Sequence, residues 1–384
     1  MRKSVLSLSI AAALAVPAIA TAQQAQPPKP SVPTLDQVFE ASGIAVDGYI
    51  DAGYSRLSGT GKFTSGFANR VFDTERNSFL LHQAAINIAK QPKEGFGGFA
   101  NLTLGKDADI IAPFDSNTSS SPATNKFDVT QAYAQYATGP FTVIAGKYVT
   151  AAGAEVIKSP SNVNYSRSIL FGYAIPFTHT GLRATYAPSD TFSVFGGLNN
   201  GWDDLRDTNA QKTAELGISA TPIKNLSIAA VDYVGSERVG GLTLVGPEGR
   251  RNIFDIVATY AATDKLSLTL NYDNGSQKNA ATATPRGSAD AKWTGIAGYV
   301  TYQISDMWRL AVRGETFDDK DGYRTGVVQK WKEGTITLAY LPTKSLELRG
   351  EIRADRSDVA SFVKTSGSAS KSQSSFGLQV LYKF

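Results

Sequence analysis

Leu346–Asp355, LELRGEIRAD, alternates strictly between apolar or small residues and charged ones. The same two-residue period recurs in Leu266–Asp273, LSLTLNYD, and in Trp308–Arg313, WRLAVR. Since successive side chains of a β-strand point to opposite faces, this period predicts a sheet with one apolar and one polar face. A soluble β-sandwich would show the same alternation with its apolar face inward, so the period alone leaves two architectures open.

The connections between the predicted strands distinguish these architectures. Short turns and long polar loops alternate strictly along the chain, as in outer-membrane barrels, whereas sandwiches mix link lengths less regularly. The sequence therefore predicts one all-β domain over residues 44–384, a closed, up-and-down, sixteen-stranded antiparallel transmembrane β-barrel. The predicted strands are 45–56, 78–90, 96–106, 127–137, 141–149, 178–187, 191–201, 212–221, 226–235, 252–261, 265–274, 292–302, 307–317, 331–340, 345–355 and 375–384.

The N-terminus predicts an export signal followed by a short helix. Residues 1–22 have a basic start, a mostly apolar run and a final Ala20-Thr21-Ala22, which fits the small-x-small cleavage rule. Residues 23–43 are predicted to be a Pro- and Gln-rich linker and then a short helix, because Thr34 and Gln37 match a capping box. We interpret this helix as docking against one end of the barrel, with a plug inside the barrel as the alternative.

Composition excludes several kinds of activity. The chain carries 38 Lys+Arg and 34 Asp+Glu, a formal net charge of +4, without the clustered basic face typical of nucleic-acid binding. It has no Cys and only two His, His82 and His179, which excludes disulfides, thiol nucleophiles and a three-His zinc site. We therefore expect no enzymatic activity, no metal-binding residues and no nucleic-acid partner, and we interpret both His as wall residues.

Aromatic residues gather at the strand ends that border the short turns or the C-terminus. An apolar ring with a polar tip is stable at the level of lipid headgroups, so this placement predicts an interfacial aromatic girdle. The alternative is the general preference of aromatic residues for strands. The residues concerned are Tyr136, Phe141, Tyr186, Phe192, Tyr260, Tyr302, Trp308, Tyr340 and Phe384.

Several short motifs resemble a known family. They include residues 34–54, TLDQVFEASGIAVDGYIDAGY, the segments Gln131-Ala132-Tyr133-Ala134 and Gly153-Ala154-Glu155, and a final strand with alternating Leu378, Val380, Tyr382 and Phe384. Over residues 34–384 the chain resembles the Gram-negative outer-membrane porins of the OmpL-like β-barrel type. The resemblance implies an outer-membrane location, insertion by the barrel-assembly machinery through the final strand, and passive diffusion of small hydrophilic solutes and ions. It also implies no cofactor and, as in many porins of this size, a homotrimer.

The inward-facing charges are the candidate functional residues, because a barrel of sixteen strands is too wide for its side chains to fill and leaves an aqueous channel. Four arginines on two nearby strands have two interpretations: a patch that attracts anionic groups, or ion pairs with neighbouring glutamates that stabilise the wall. The predicted inward bases are Arg183, Arg309, Arg313, Arg349, Arg353 and Lys383, and the predicted inward acids are Asp47, Asp51, Glu215, Asp255, Asp273, Glu315, Glu347, Glu351 and Asp355.

The longest predicted external loop, Thr150–Phe177, contains apolar residues that would be poor occupants of an external surface. Its length and apolar content predict a loop folded into the barrel, where Glu155, Lys158 and Arg167 would face the arginine wall across a constriction. An external lid or a trimer contact is the alternative. The predicted function is a diffusion porin, and the alternative is an adhesive, structural or partner-binding barrel without a conducting pore.

Overall fold

The computed structural model describes residues 33–112, 126–207, 209–238, 248–280 and 289–384. These residues include two short α-helices, α1 (Leu35–Ser42) and α2 (Ala108–Ile111), a 3-10 turn at Ser159–Ser161 and a π-helical turn at Leu170–Ala174. The strands are β1 (Ala45–Leu57), β2 (Gly59–Phe63), β3 (Ser78–Lys90), β4 (Gly95–Leu104), β5 (Phe127–Thr138), β6 (Phe141–Val149), β7 (Thr178–Ser189), β8 (Phe192–Asn199), β9 (Thr213–Ile223), β10 (Leu226–Arg238), β11 (Glu248–Ala261), β12 (Leu266–Gln277), β13 (Ala291–Ser305), β14 (Trp308–Asp319), β15 (Gln329–Tyr340), β16 (Leu346–Ser357), β17 (Phe362–Lys364), β18 (Ala369–Ser370) and β19 (Ser372–Lys383).

Sixteen of these strands close into one antiparallel barrel. β1 pairs with β3, each of β3–β16 pairs with its neighbours in sequence, and β19 pairs with both β16 and β1. At the closing pair Tyr49 lies opposite Lys383, and Gly48 and Phe384 exchange backbone hydrogen bonds of 2.9 and 3.0 Å. The predicted closed, up-and-down barrel of sixteen strands is confirmed. We call its two ends the turn end and the loop end, after the short and long connections that they carry.

The predicted N-terminal helix is also present, as α1. Thr34 Oγ1 accepts the Gln37 N–H, the Gln37 side chain accepts the Thr34 N–H, and Gly43 ends the helix with a φ of 68°. The capping box therefore forms as predicted. No helix in the described part of the chain is long and apolar enough to cross a membrane. The predicted signal, residues 1–22, and most of the predicted linker lie outside the described residues.

The alternation seen in the sequence separates the two faces of the barrel wall. On β16, Leu348 and Ile352 point outward and are 37% and 57% exposed, whereas Glu351 and Arg353 point inward and are buried. The register continues this pattern across the neighbouring strands, since Ile336 lies opposite Ile352. The outer face is therefore apolar, and the polar face surrounds the interior, as a membrane barrel requires.

Aromatic pairs on adjacent strands surround the turn end of the barrel. Ring centroids lie 4.9 Å apart in Phe96–Tyr136, 4.8 Å apart in Phe141–Tyr186 and 4.8 Å apart in Trp308–Tyr340. Most of these rings are exposed at the outer surface. Their position agrees with the predicted interfacial girdle.

The segments predicted as irregular loops at 57–77 and 356–374 contain three further strands. β2, β17 and β18 form a separate three-stranded sheet at the loop end, in which Phe362 lies opposite Phe63 and Ser370. The long polar loops predicted for these ranges therefore contain short strands that were not predicted. Strands of two to five residues are too short for a two-residue period to be recognised in the sequence.

We expect Ile352→Arg, midway along β16 and opposite Ile336, to impair assembly of the barrel, because an arginine on the lipid-facing surface near the membrane centre costs about 2–4 kcal/mol. The matched control is Thr301→Arg, which places the same side chain on the inner face of β13, where Thr301 is only partly buried. The measurement is the mobility of unheated and heated protein in denaturing gels. Equal loss of the heat-modifiable band in both variants would contradict the assignment of the two faces.

Candidate functional site

The segment Thr150–Phe177, which we call the inner loop, leaves the wall at the end of β6 and returns at the start of β7. Its two ends are joined by a 2.9 Å hydrogen bond from the Thr150 N–H to the Phe177 carbonyl. Between them the loop runs inside the barrel, because its backbone is hydrogen-bonded to inward-facing side chains of several strands. Three of these side chains are Tyr233 on β10, Asn271 on β12 and Trp293 on β13, which bind the backbone at Ala151, Ala154 and Ala174 at 2.9, 3.1 and 3.1 Å.

Two wall glutamates each accept two successive backbone N–H groups of the inner loop. Glu351 on β16 accepts the amides of Tyr165 and Ser166 at 2.7 and 2.9 Å. Glu315 on β14 accepts the amides of Ile169 and Leu170 at 2.6 and 3.1 Å. A carboxylate that accepts two N–H groups is well satisfied even when it is buried. These two acids therefore hold the loop by its backbone.

Three wall arginines also bind the loop backbone, but they donate hydrogen bonds to its carbonyl groups. Arg349 donates to the carbonyls of Asn162 and Asn164 at 2.7 and 3.1 Å. Arg353 donates to the carbonyl of Arg167 at 2.6 Å, and Arg313 to that of Ser166 at 2.8 Å. Acidic and basic residues of β14 and β16 thus bind the loop backbone between 162 and 170.

Arg313 has the densest set of partners at this surface. Its guanidinium lies 2.6 Å from Glu155 of the inner loop and 2.7 Å from Glu333 on β15, with Glu315 at 3.7 Å. The Arg313 side chain is fully buried. Because charges attract more strongly away from water, this cluster is expected to fix the inner loop against β14 and β15.

Glu347 and Asp355, two more of the predicted wall acids, are paired with arginines. Glu347 binds Arg349 at 2.6 Å and also contacts Arg309. Asp355 binds Arg353 at 2.8 Å and Arg70 of the first external loop at 2.9 Å. The arginine surface is therefore covered by the inner loop and neutralised by neighbouring acids, in contrast to the open, anion-attracting wall considered from the sequence. Only Arg309 retains part of its surface, with 17% of the side chain exposed.

The three predicted loop charges have different environments. Glu155 is buried and also accepts the Ser168 N–H at 2.7 Å. Arg167 is buried as well and donates to the Ile157 carbonyl at 3.0 Å, within its own loop. Lys158 alone is exposed, with 46% of its side chain accessible and Asp47 at 3.4 Å. The expectation that all three face the arginines across open water is therefore corrected: the loop lies directly on that wall.

Tyr165 connects the inner loop to β3, near the start of the barrel sequence. Its hydroxyl contacts His82 Nε2 on β3 at 2.8 Å, and His82 Nδ1 contacts the Asp107 carboxylate at 3.0 Å. The ring packs closely on Gly377 of β19, where a Cβ atom would lie 2.4 Å from the ring. Burial raises the pKa of the Tyr165 hydroxyl well above its ordinary value, so it stays protonated.

An apolar cluster packs inside the barrel beside these polar contacts. The inner loop contributes Ile169, Leu170 and Phe171, and other external loops contribute Phe72, Trp202 and Phe362. The wall contributes the inward-facing rings Tyr233, Trp293, Phe317 and Trp331. Apolar burial therefore stabilises the position of the loop inside the barrel, in addition to the hydrogen bonds.

Some predicted residues lie away from the inner loop. Arg183 on β7 makes a two-pronged contact with Glu215 on β9 at 2.7 and 2.9 Å and lies over the Tyr148 ring. His179 on the same strand is buried and its Nδ1 contacts the Gly201 carbonyl at 3.0 Å. Asp203, which was not among the predicted residues, binds the end of the inner loop: it accepts the amides of Phe177 and Thr178, and burial raises the pKa of this carboxyl to about 6.

Two important residues were not among the predicted ones. Glu333 contacts both Arg313 and Arg353, and Tyr165 links the loop to His82. The two-residue period of β15 could have identified Glu333, since it shares a face with the inward-pointing Thr335 and Thr337, whereas no periodic signal identifies Tyr165. In the described ranges, no group of three or more His, Asp and Glu side chains is arranged to hold a metal ion.

A sixteen-stranded barrel with an apolar outer face, a charged inner face and an inserted loop defines a protein of the outer-membrane porin class. The chain belongs to the family described as "Putative beta-barrel porin-2, OmpL-like", whose family model matches residues 43–384. The protein is therefore an outer-membrane barrel of the porin type. No curated protein matches its sequence.

Several solved structures share the fold. An anion-selective porin from Comamonas acidovorans is similar with a TM-score of 0.61 at 10% identity, over 89% of this chain and 99% of that one. OmpT of Vibrio cholerae is similar with a TM-score of 0.59 at 14% identity, over 89% and 97%. The outer-membrane channel DcaP of Acinetobacter baumannii is similar with a TM-score of 0.57 at 13% identity, over 89% and 97%. At these identities the likeness concerns the fold alone.

Proposed function

We propose that this protein forms a narrow aqueous channel for passive diffusion of small hydrophilic solutes and ions, and that the inner loop sets its narrowest level. The observation that carries the proposal is the hydrogen bonding of the loop, which binds it to β3, β10 and β12–β16 inside a barrel of sixteen strands. A barrel of this size without an insert leaves a wide water-filled lumen. The inner loop narrows this lumen.

The remaining passage runs beside the inner loop in this proposal, along β5–β8. Inward-facing side chains on these strands are partly accessible, namely Tyr133, Ile144, Arg183 and Phe195. Lys158 and Asp47 are exposed towards the turn end of the interior. Selectivity would then depend on these accessible charges, because charges at the narrowest accessible level act most strongly on a passing ion.

The test is a recording of single channels in a planar bilayer with a salt gradient. We expect Lys158→Glu to shift the reversal potential towards cation preference, since it replaces an accessible positive charge in the lumen with a negative one. The matched control is Lys224→Glu in the exposed turn between β9 and β10. Conducting channels with the same reversal potential in both variants would contradict the proposed path past Lys158.

One observation favours a second candidate function. The inner loop and other external loops pack together in an apolar cluster inside the barrel, and such packing also suits a barrel that binds a partner at its loop end without conducting. An insulating bilayer containing correctly folded protein would reject the channel and support this partner-binding barrel.

The assembly of the protein is part of the same proposal. Leu378, Val380, Tyr382 and Phe384 all point outward on the last strand, which supports their role as the signal read by the barrel-assembly machinery. A structural relative, OmpT of Vibrio cholerae, is described in a trimer form, and we propose a homotrimer for this chain too. Export after cleavage behind Ala22 completes the proposed route to the outer membrane.

A further inference from the structure

A groove of about 910 Å³ crosses the outer surface of the barrel on the side of the closing strands. It runs over five neighbouring strands, β14, β15, β16, β19 and β1. The inward arginines behind it, Arg313 and Arg353, are covered by the inner loop, so the groove opens only to the outside. Its outward-facing lining includes Val312, Gly334, Ile336, Ile352, Ala354 and Phe376.

The floor of the groove consists of small residues that lie directly opposite one another. Gly314 pairs with Gly334, Gly334 with Ala354, and Ala354 with Ser374. Cβ atoms added at Gly314 and Gly334 would meet no atom within 4 Å, so nothing in this chain fills the space. With about 4.8 Å between strands, the four spacings from β14 to β1 give a groove roughly 19 Å long.

The two sides of the groove differ in character. On the side nearer the turn end lies a row of exposed apolar side chains, Val312, Ile336, Ile352 and Phe376. On the side of the loop end lie exposed Lys332 on β15, Arg356 on β16 and Arg56 on β1, with Arg76 of the first external loop beside them. A ligand matching this surface has an apolar part towards the membrane centre and an anionic part towards the loop end.

The basic side of the groove is not neutralised by the protein. Within the described ranges, none of Lys332, Arg356, Arg56 and Arg76 forms an ion pair. The neighbouring outward acid, Asp318, is instead bound by Lys330 at 3.5 Å. Arg76 donates from its Nε to the Leu57 carbonyl at 3.3 Å, which leaves the other nitrogens of its guanidinium for a ligand. Three arginines and a lysine without acidic partners suit phosphate groups, which accept several charge-assisted hydrogen bonds.

We propose that this groove binds a phosphorylated, multiply acylated lipid of the outer leaflet. An acyl chain lies across the small residues, and the phosphates contact Lys332, Arg356, Arg56 and Arg76. The charge of the rim and the apolar row beside it favour this occupant, since a lipid offers both parts in one molecule at the correct level of the membrane. The inference depends on the outer-membrane location of the barrel and is independent of conduction.

The test titrates detergent-solubilised protein with a purified bis-phosphorylated, acylated glucosamine disaccharide and follows binding by native mass spectrometry. We expect the double variant K332A/R356A to bind about 30-fold more weakly, since each basic residue near the surface contributes about 1 kcal/mol. The control is K224A/K265A, which removes two exposed lysines at the turn end and should leave binding unchanged. Equal weakening in both double variants would overturn the proposal, because binding would then follow net charge.

A second variant, Gly334→Phe, fills the groove without changing any charge. The open space at this position predicts that the barrel still folds, which heat-modifiable gel mobility checks. We expect weaker binding of the acylated disaccharide, and we expect inorganic phosphate at millimolar concentration not to displace it from the unaltered protein. Displacement by inorganic phosphate, or unchanged lipid binding in Gly334→Phe, would overturn the proposal. Unchanged lipid binding together with a changed oligomeric mass would instead assign the groove to a contact between copies of the chain.

Discussion

Deleting Val156–Ser166 is expected to raise single-channel conductance severalfold while the barrel stays folded. These eleven residues include the part of the inner loop that binds Arg349 and Glu351, so their removal opens the interior between β3 and β16 to water. The ends of the deletion lie close together, because the Ser168 N–H donates to the Glu155 carboxylate at 2.7 Å. The shortened loop can therefore close without pulling on the wall.

The measurement is conductance in a planar bilayer, together with gel mobility before and after heating. The wall groups released by the deletion face the aqueous lumen and become hydrated, so the folded band should remain. A shorter loop that leaves conductance near normal but changes oligomer stability would reject the constriction and support the alternative of a subunit contact.

Replacing Arg313 with methionine is expected to cost about 3–5 kcal/mol of unfolding free energy, since it leaves the buried Glu155 without its positive partner and weakens the balance of charge around Glu333 and Glu315. Glu155, Glu333 and Glu315 all lie within 3.7 Å of this guanidinium. The inner loop should also loosen, because Arg313 donates to the Ser166 carbonyl. Urea unfolding of the protein in lipid vesicles measures the loss.

Two comparisons separate this effect from a general loss of charge. Arg309→Gln should cost no more than about 1 kcal/mol, because Arg309 is partly exposed and Glu347 keeps its contact with Arg349. The triple variant Arg313→Met, Glu155→Gln, Glu333→Gln should recover part of the stability lost in Arg313→Met. A cost at Arg309 as large as that at Arg313 would contradict a central role for the buried cluster.

The barrel could be predicted from the sequence because both of its determinants are local. The two-residue period of segments such as Leu346–Asp355 assigns each side chain to one face, and the alternation of short and long links gives the order of the strands. The alternation along β16 predicts that Leu348 points outward and Glu351 inward, and the structure has both side chains in these positions.

The contacts of the inner loop could not be predicted, since they depend on which loop atoms come to lie against the wall. The alternation of side chains along β14 shows that Arg313 points inward. It does not show that Glu155, 158 residues away, lies next to it. Apolar content indicated an inserted loop, but the backbone hydrogen bonds to Glu351 and Glu315 follow no sequence pattern. For the same reason, exposed Lys158 and buried Arg167 could not be distinguished beforehand.

The pairing of the first barrel strand with the last has a kinetic consequence. Tyr49 and Lys383, which face each other at this closure, are 334 residues apart in sequence. Contacts between residues so far apart in sequence form slowly, because closing a long loop costs entropy before any strand pairing is gained. Until β19 arrives, both β1 and β16 have unpaired edges that could join another chain. Pairing of β19 with β1 and β16 therefore determines when the protein ceases to be an aggregation hazard.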